Sequence, residues 1–170
     1  MMEKIELQSP IAVANFIIEV ANEKENPVTN LKLQKVLFFL QGYCLAEYNS
    51  PLIDGNFSKW QYGPVEEEVY QEFKYFGASP INSKSTQLRI DSGKIEFYCE
   101  EISMSDNLLN KIKEIVEQII KKEPWELVRL THDDPSWKNY EDKIRNRTAE
   151  DYTNEEIKDC FKANQEALGV

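Results

Sequence analysis

The sequence predicts a mainly α fold with a small antiparallel β-sheet, an α+β arrangement within one compact helical domain spanning residues 1–170. Three observations predict it. Apolar residues recur at helical spacing in several long stretches, each opened by a capping residue. Alternation with a period of two is confined to two short segments, Phe57–Tyr62 and Leu88–Cys99. Finally, 170 residues of which 41% are hydrophobic suffice to bury one substantial core, and no repeat or low-complexity tract divides them.

Taken in order, Ser9-Pro10 reads as N-cap and first helical residue, with Val13, Phe16, Ile17, Val20 and Ala21 as the buried stripe. Pro27 separates this helix from the next, which Thr29 caps and whose stripe is Leu33, Val36, Leu37, Leu40 and Cys44. Turn chemistry follows at Asn49-Ser50-Pro51 and Asp54-Gly55-Asn56. Phe57–Tyr62 is a short strand. Gly63-Pro64 is then expected to open a third helix, with Glu66, Glu67 and Glu68 in its first turn, Val65, Val69 and Phe73 inward, and Gly77 at its end. Leu88 and Ile90, then Ile95, Phe97 and Cys99, flank Asp91-Ser92-Gly93 as a β-hairpin, expected to join Phe57–Tyr62 in a three-stranded sheet packed on the helices. Ser105 or Asp106 caps a regular helix whose Leu108, Leu109, Ile112, Ile115, Val116, Ile119 and Ile120 predict the central core helix, with four or five helices around it. A short helix runs from Pro124 to Leu130. Residues Tyr140–Asp151 read as charged and irregular, and Thr153-x-x-Glu156 is a capping box for a last helix carrying Ile157, Phe161 and Leu168.

Twenty basic residues against thirty acidic ones give a net charge of −10, spread along the chain. This argues against binding nucleic acid through its phosphates and favours a solvated surface or a basic protein partner. Cys44, Cys99 and Cys160 are widely spaced with no CxxC, so free thiols in a reducing compartment are expected. The N-terminal MMEKIELQSP has no apolar leader, and no run is long enough to cross a bilayer. A cytoplasmic location without membrane contact follows as the expectation.

The search for chemistry returns little. His132 is the one histidine. Adjacent Asp133 and Asp134 do not make a metal site, because neighbouring residues rarely converge on one ion. A structural hydrogen bond at a helix end is the commoner role for such a histidine. Glu66–Glu68 point to different sides of a helix and cannot flank one substrate. No P-loop, GxGxxG, GxSxG or HExxH is present, and nothing calls for a cofactor, a metal or an enzyme. Trp60, Tyr62, Trp125 and Trp137 stand near turns and helix starts, where aromatics usually close a core. Lys32, Gln34, Lys35 and Gln41 fall off the apolar stripe of their helix, where a partner has access. They are the candidates for partner contact.

The segments TNLKLQKVLFFLQGYCLAEYNSPL, FSKWQYGPVEEEVYQEFKYFG and PWELVRLTHDDPSW together resemble the Panacea domain, the family of SocA-type antitoxins and phage-associated GepA-like proteins. The likeness runs in order from about Val13 to Trp137, leaving 140–170 as a charged segment and C-terminal helix. The family pattern falls on Leu33, Gln34, Lys35, Gln41, Gly42, Trp60, Gly63, Pro64, Thr131, His132 and Trp137. Gly42, Gly63, Pro64 and the tryptophans are expected to be architectural, and Thr131-His132 structural. The resemblance implies an antitoxin that neutralises a cognate toxin by stoichiometric protein binding and, in one branch, delivers it to a cellular protease. Val36–Leu40 departs from the family's aromatic pattern, which bears on partner identity. Two alternatives stand beside it: a phage or mobile-element inhibitor of a host nucleic-acid-binding protein, and a hydrolase or metalloprotein built on His132.

Overall fold

Asn30–Tyr48 (α2) is the axis of the molecule. The computed structural model describes residues 3–170, and 14 of the 19 residues of α2 are buried. Glu47 is its only exposed position. A helix covered all round sits at the centre of a fold rather than on its surface. Pro10–Glu23 (α1), Glu67–Phe73 (α3), Asp106–Ile119 (α4), Pro124–His132 (α5) and Asn154–Leu168 (α8) surround it, with Pro135–Lys138 (α6) and Glu141–Arg145 (α7) linking α5 to α8. The expected central helix, α4, is instead peripheral. It buries a single stripe of Leu108, Ile112, Val116 and Ile119 and exposes its other faces.

The caps follow the sequence. Ser9, Thr29, Ser105 and Thr153 each accept a backbone N–H with the side chain, and Thr153 and Glu156 form the reciprocal capping box. Segment 140–151, read as irregular, contains the short helix α7.

Gly42 fixes how α8 lies on α2. A Cβ there would meet the Phe161 Cβ at 2.5 Å and the Ile157 carbonyl at 2.9 Å, so only glycine permits this close approach. The aromatic cluster beneath it joins Phe38 edge-on to Phe39, Phe57 and Tyr152.

The β structure departs from the expected three-stranded sheet. Ser58–Trp60 (β1) pairs antiparallel with Gly63–Val65 (β2), and Gln87–Asp91 (β3) pairs separately with Lys94–Tyr98 (β4). Gly63-Pro64 therefore ends a tight hairpin instead of opening a helix. Pro64 supplies no N–H to a ladder and tolerates a strand only two strands wide. The helix begins three residues later, with Glu66 as N-cap accepting the Val69 N–H. Among the described residues, no helix is long and apolar enough to cross a membrane.

Candidate functional site

Lys32, Gln34, Lys35 and Gln41, expected on an accessible face, are 5%, 1%, 0% and 1% exposed. The accessible-face reading is corrected by what each head group does. Lys32 Nζ donates to the Ile120 carbonyl at the end of α4, where a cation meets the negative end of the helix dipole. Gln34 donates to the Asn30 carboxamide and accepts the Glu66 backbone N–H at 2.8 Å, fixing the entry to α3. Gln41 accepts the N–H groups of Leu52 and Ile53 at 2.9 and 2.8 Å and donates to the Ile53 carbonyl, holding the loop before β1. Lys35 reaches the Pro64 carbonyl at 3.1 Å. Each satisfies backbone groups that neighbouring elements leave unpaired, which is why the centre of an apolar fold contains them.

Lys35 is the most costly of the four, since it is fully buried and, among the described residues, no carboxylate pairs with it. Burial draws its amine down to about 7. Around it stand the other signature residues. Gly63, at φ +100°, would push a Cβ to 2.7 Å from Thr131 Oγ1 and 2.8 Å from Lys35 Cε. Thr131 donates to the Val128 carbonyl of its own helix at 2.7 Å. His132 stacks on Trp137 with ring centroids 3.8 Å apart, and Trp137 Nε1 donates to the Trp60 carbonyl at 2.9 Å. Burial lowers the His132 imidazole below its usual range, and its Nε2 has no hydrogen-bond partner. Leu33 is wholly buried. The cluster thus ties α2, β1–β2, α5 and α6 into one unit.

This arrangement offers little to nucleophilic chemistry. Cys44 and Cys160 are buried, and burial pushes both thiols up, away from thiolate. Among the described residues, no three His, Cys, Asp or Glu side chains gather where one metal ion would sit. Glu66, read as part of a solvated first turn, is buried, and burial raises its carboxyl above the usual range while the Val69 N–H opposes the shift. Trp125 and Tyr62 were expected to close the core. They are instead 62% and 50% exposed and pack edge-on against each other.

The β3–β4 hairpin presents the surface that sequence reasoning placed in the core. Leu88 pairs with Phe97 and Ile90 with Ile95, so all four share one face of the ribbon. They are 56%, 75%, 73% and 63% exposed. The opposite face pairs Arg89 with Glu96, with Nε to carboxylate at 2.9 Å. The hairpin is clamped at its base by Asn15 of α1, whose side chain donates to the carbonyls of Ser85 and Glu100 and accepts the Ser85 N–H at 2.8 Å. Asn15 was missed. Its signal was a lone amide within an otherwise apolar stripe.

Comparison with known proteins supplies the context for this geometry. Residues 33–138 match the family described as antitoxin SocA-like, Panacea domain. Over 82 residues the chain is 38% identical to antitoxin SocA of Caulobacter vibrioides (strain NA1000 / CB15N), covering 48% of this chain and 44% of that protein. The chain thus spans less than half the length of that relative. No solved structure matches it.

Proposed function

The chain belongs to the SocA-like Panacea family of antitoxins, and we propose that it neutralises a cognate toxin protein by stoichiometric binding, without turnover. The observation that carries this reading is the bare apolar face of Leu88, Ile90, Ile95 and Phe97. A two-stranded ribbon is marginal in water by itself, and one with four large side chains uncovered is built to be covered. Such a patch is on the order of the few hundred Å² that marks an interaction site, short of the ~800 Å² per partner of a standard interface. The contact therefore extends onto the surrounding surface, whose net charge of −10 favours a neutral or basic partner over a second copy of this chain. The hairpin itself carries Arg89, Asp91, Lys94 and Glu96 and is neutral, so its apolar face docks without a charge penalty.

The test is co-expression with the product of the adjacent gene. The neighbour alone arrests growth, the pair grows, and the two proteins co-purify in equal amounts. Ile90→Asp or Phe97→Glu, both on exposed positions, leaves the fold intact and abolishes rescue and complex together. Rescue by a chain bearing both substitutions sinks this surface. A harmless neighbour that forms no complex sinks the antitoxin reading. Delivery to a protease is distinguished in the same experiment, because the toxin would then vanish from the cells rather than accumulate in the complex.

A further inference from the structure

One edge of β1 faces away from β2, with Lys59 itself 7% exposed. In the β1–β2 register Lys59 lies opposite Pro64, which has no N–H to donate. Lys59–Pro64 is therefore the non-hydrogen-bonded pair of the ladder, and the N–H and C=O of Lys59 point away from β2. Two neighbours show the same geometry. The Pro64 carbonyl, turned off the ladder on its own side, is taken by Lys35 Nζ. The Phe57 carbonyl, on the side of Lys59, accepts the Tyr152 N–H at 2.8 Å. Between Phe57 and the turn, no backbone group from outside the β1–β2 ladder bonds to Lys59 among the described residues.

A groove of about 990 Å³ runs along this edge. The consecutive residues Ser58, Lys59, Trp60 and Gln61 line it, and no residue of β2 does, so it lies on the open side of the strand. Trp137, Ile144 and Arg145 also line it. The Lys59 side chain is committed elsewhere: its ammonium lies 2.9 Å from Glu156 and 3.6 Å from the centre of the Tyr140 ring.

We propose that this groove accepts an extended segment of a partner protein as a third strand, paired with β1 through the N–H and C=O of Lys59. An extended segment fits where a helix or folded surface does not, because only extended backbone offers a matching donor and acceptor to both groups. The edge is already in use as a strand edge. The Tyr152–Phe57 bond is its first rung, filled by the chain's own backbone, and an added strand continues it toward the turn. Ile144 and Trp137 give the lining its apolar part, which calls for an aliphatic residue in the added strand. The next residue lies beside Ser58 and Trp60, where polar side chains are tolerated. Acidic Glu67 and Glu141 line the groove together with Arg145 and Arg147, so the recognition is through backbone and shape, and it depends weakly on salt.

This inference is independent of the hairpin face and of the antitoxin reading. The probe is a pool of fluorescein-labelled hexapeptides, random at the four central positions, selected on the immobilised full-length chain and measured by anisotropy. Enriched sequences carry an aliphatic residue with polar neighbours on either side and bind in the micromolar range. Methylating the backbone nitrogen of the residue that pairs with Lys59 weakens binding about tenfold, the worth of one hydrogen bond, while methylation one position along has little effect. Amide exchange at Lys59 slows in the complex, exchange across Leu88–Tyr98 is unchanged, and Ile90→Asp binds the peptide as the unmodified chain does. Absence of enrichment, an N-methyl series with no alternation, or protection located away from Ser58–Gln61 would overturn the proposal.

Discussion

Replacing Lys35 by methionine turns the pH dependence of stability into a direct reading of the buried amine. In the folded chain burial holds this group down at about 7, against 10.5 for a free lysine side chain. Between those values the unfolded chain keeps a proton that the folded chain has released, so stability rises with pH across this window. Below about 7 both states carry the charge, and the cost of burying it is present in full. Above 10.5 neither does, and the cost is gone. At about 1.4 kcal/mol per pH unit, the natural chain gains about 2–3 kcal/mol from this group between pH 6 and pH 9. No discount for solvent screening applies, because the side chain has no exposure. Methionine keeps the aliphatic stem and removes the titration, and it leaves the Pro64 carbonyl unpaired at a pH-independent cost of about 1–3 kcal/mol. His132 is present in both chains, and burial, with the Lys35 charge as a smaller contribution, holds its imidazole below the usual range. The assay is urea unfolding of both chains at half-unit steps from pH 6 to pH 9, followed by circular dichroism. The stability difference, natural chain minus Lys35→Met, climbs by about 2–3 kcal/mol over that range. Parallel profiles offset by a constant would refute the reasoning, since they would mean the ammonium is solvated or paired and pays no burial cost.

Other residues yield sharper local outcomes. Asn15→Leu removes the clamp at the base of the hairpin, and leaving the Ser85 N–H and the Glu100 carbonyl unpaired costs about 2–4 kcal/mol. Amide exchange in 87–98 should accelerate more than in α2, and uniform acceleration would count against a local clamp. Gly42→Ala forces α8 away from α2 and lowers stability by about 1–3 kcal/mol, read as a drop in Tm. An unchanged Tm would show that the helices separate freely. His132→Ala loses the stack on Trp137 and about 1 kcal/mol of stability, with partner binding retained. Stoichiometric metal in the purified protein, abolished by this substitution, would contradict a structural role.

Helix starts were legible because capping is local. Ser9, Thr29, Ser105 and Thr153 carry their signals within three residues of the groups they satisfy. The β3–β4 hairpin was legible for the same reason, its turn lying at Ser92-Gly93, where both residues adopt positive φ. Gly63-Pro64 was misread because proline suits both a helix start and a strand with no neighbour beyond it, and the choice depends on Lys59 lying opposite.

The sequence by itself determined the family, the order of the longer helices and the caps of four of them, since each rests on contiguous residues or on motifs in fixed order. Only the tertiary structure decided which helix is central and which side chains are accessible. Lys32, Gln34, Lys35 and Gln41 look polar and therefore external along one helix, yet the backbone groups they bond lie 11 to 88 positions away. Leu88, Ile90, Ile95 and Phe97 look apolar and therefore internal, yet they stand 56–75% exposed on one face of the hairpin. Periodicity records which residues share a face. What covers that face is a contact between distant parts of the chain, or with another protein, and local pattern carries no trace of it.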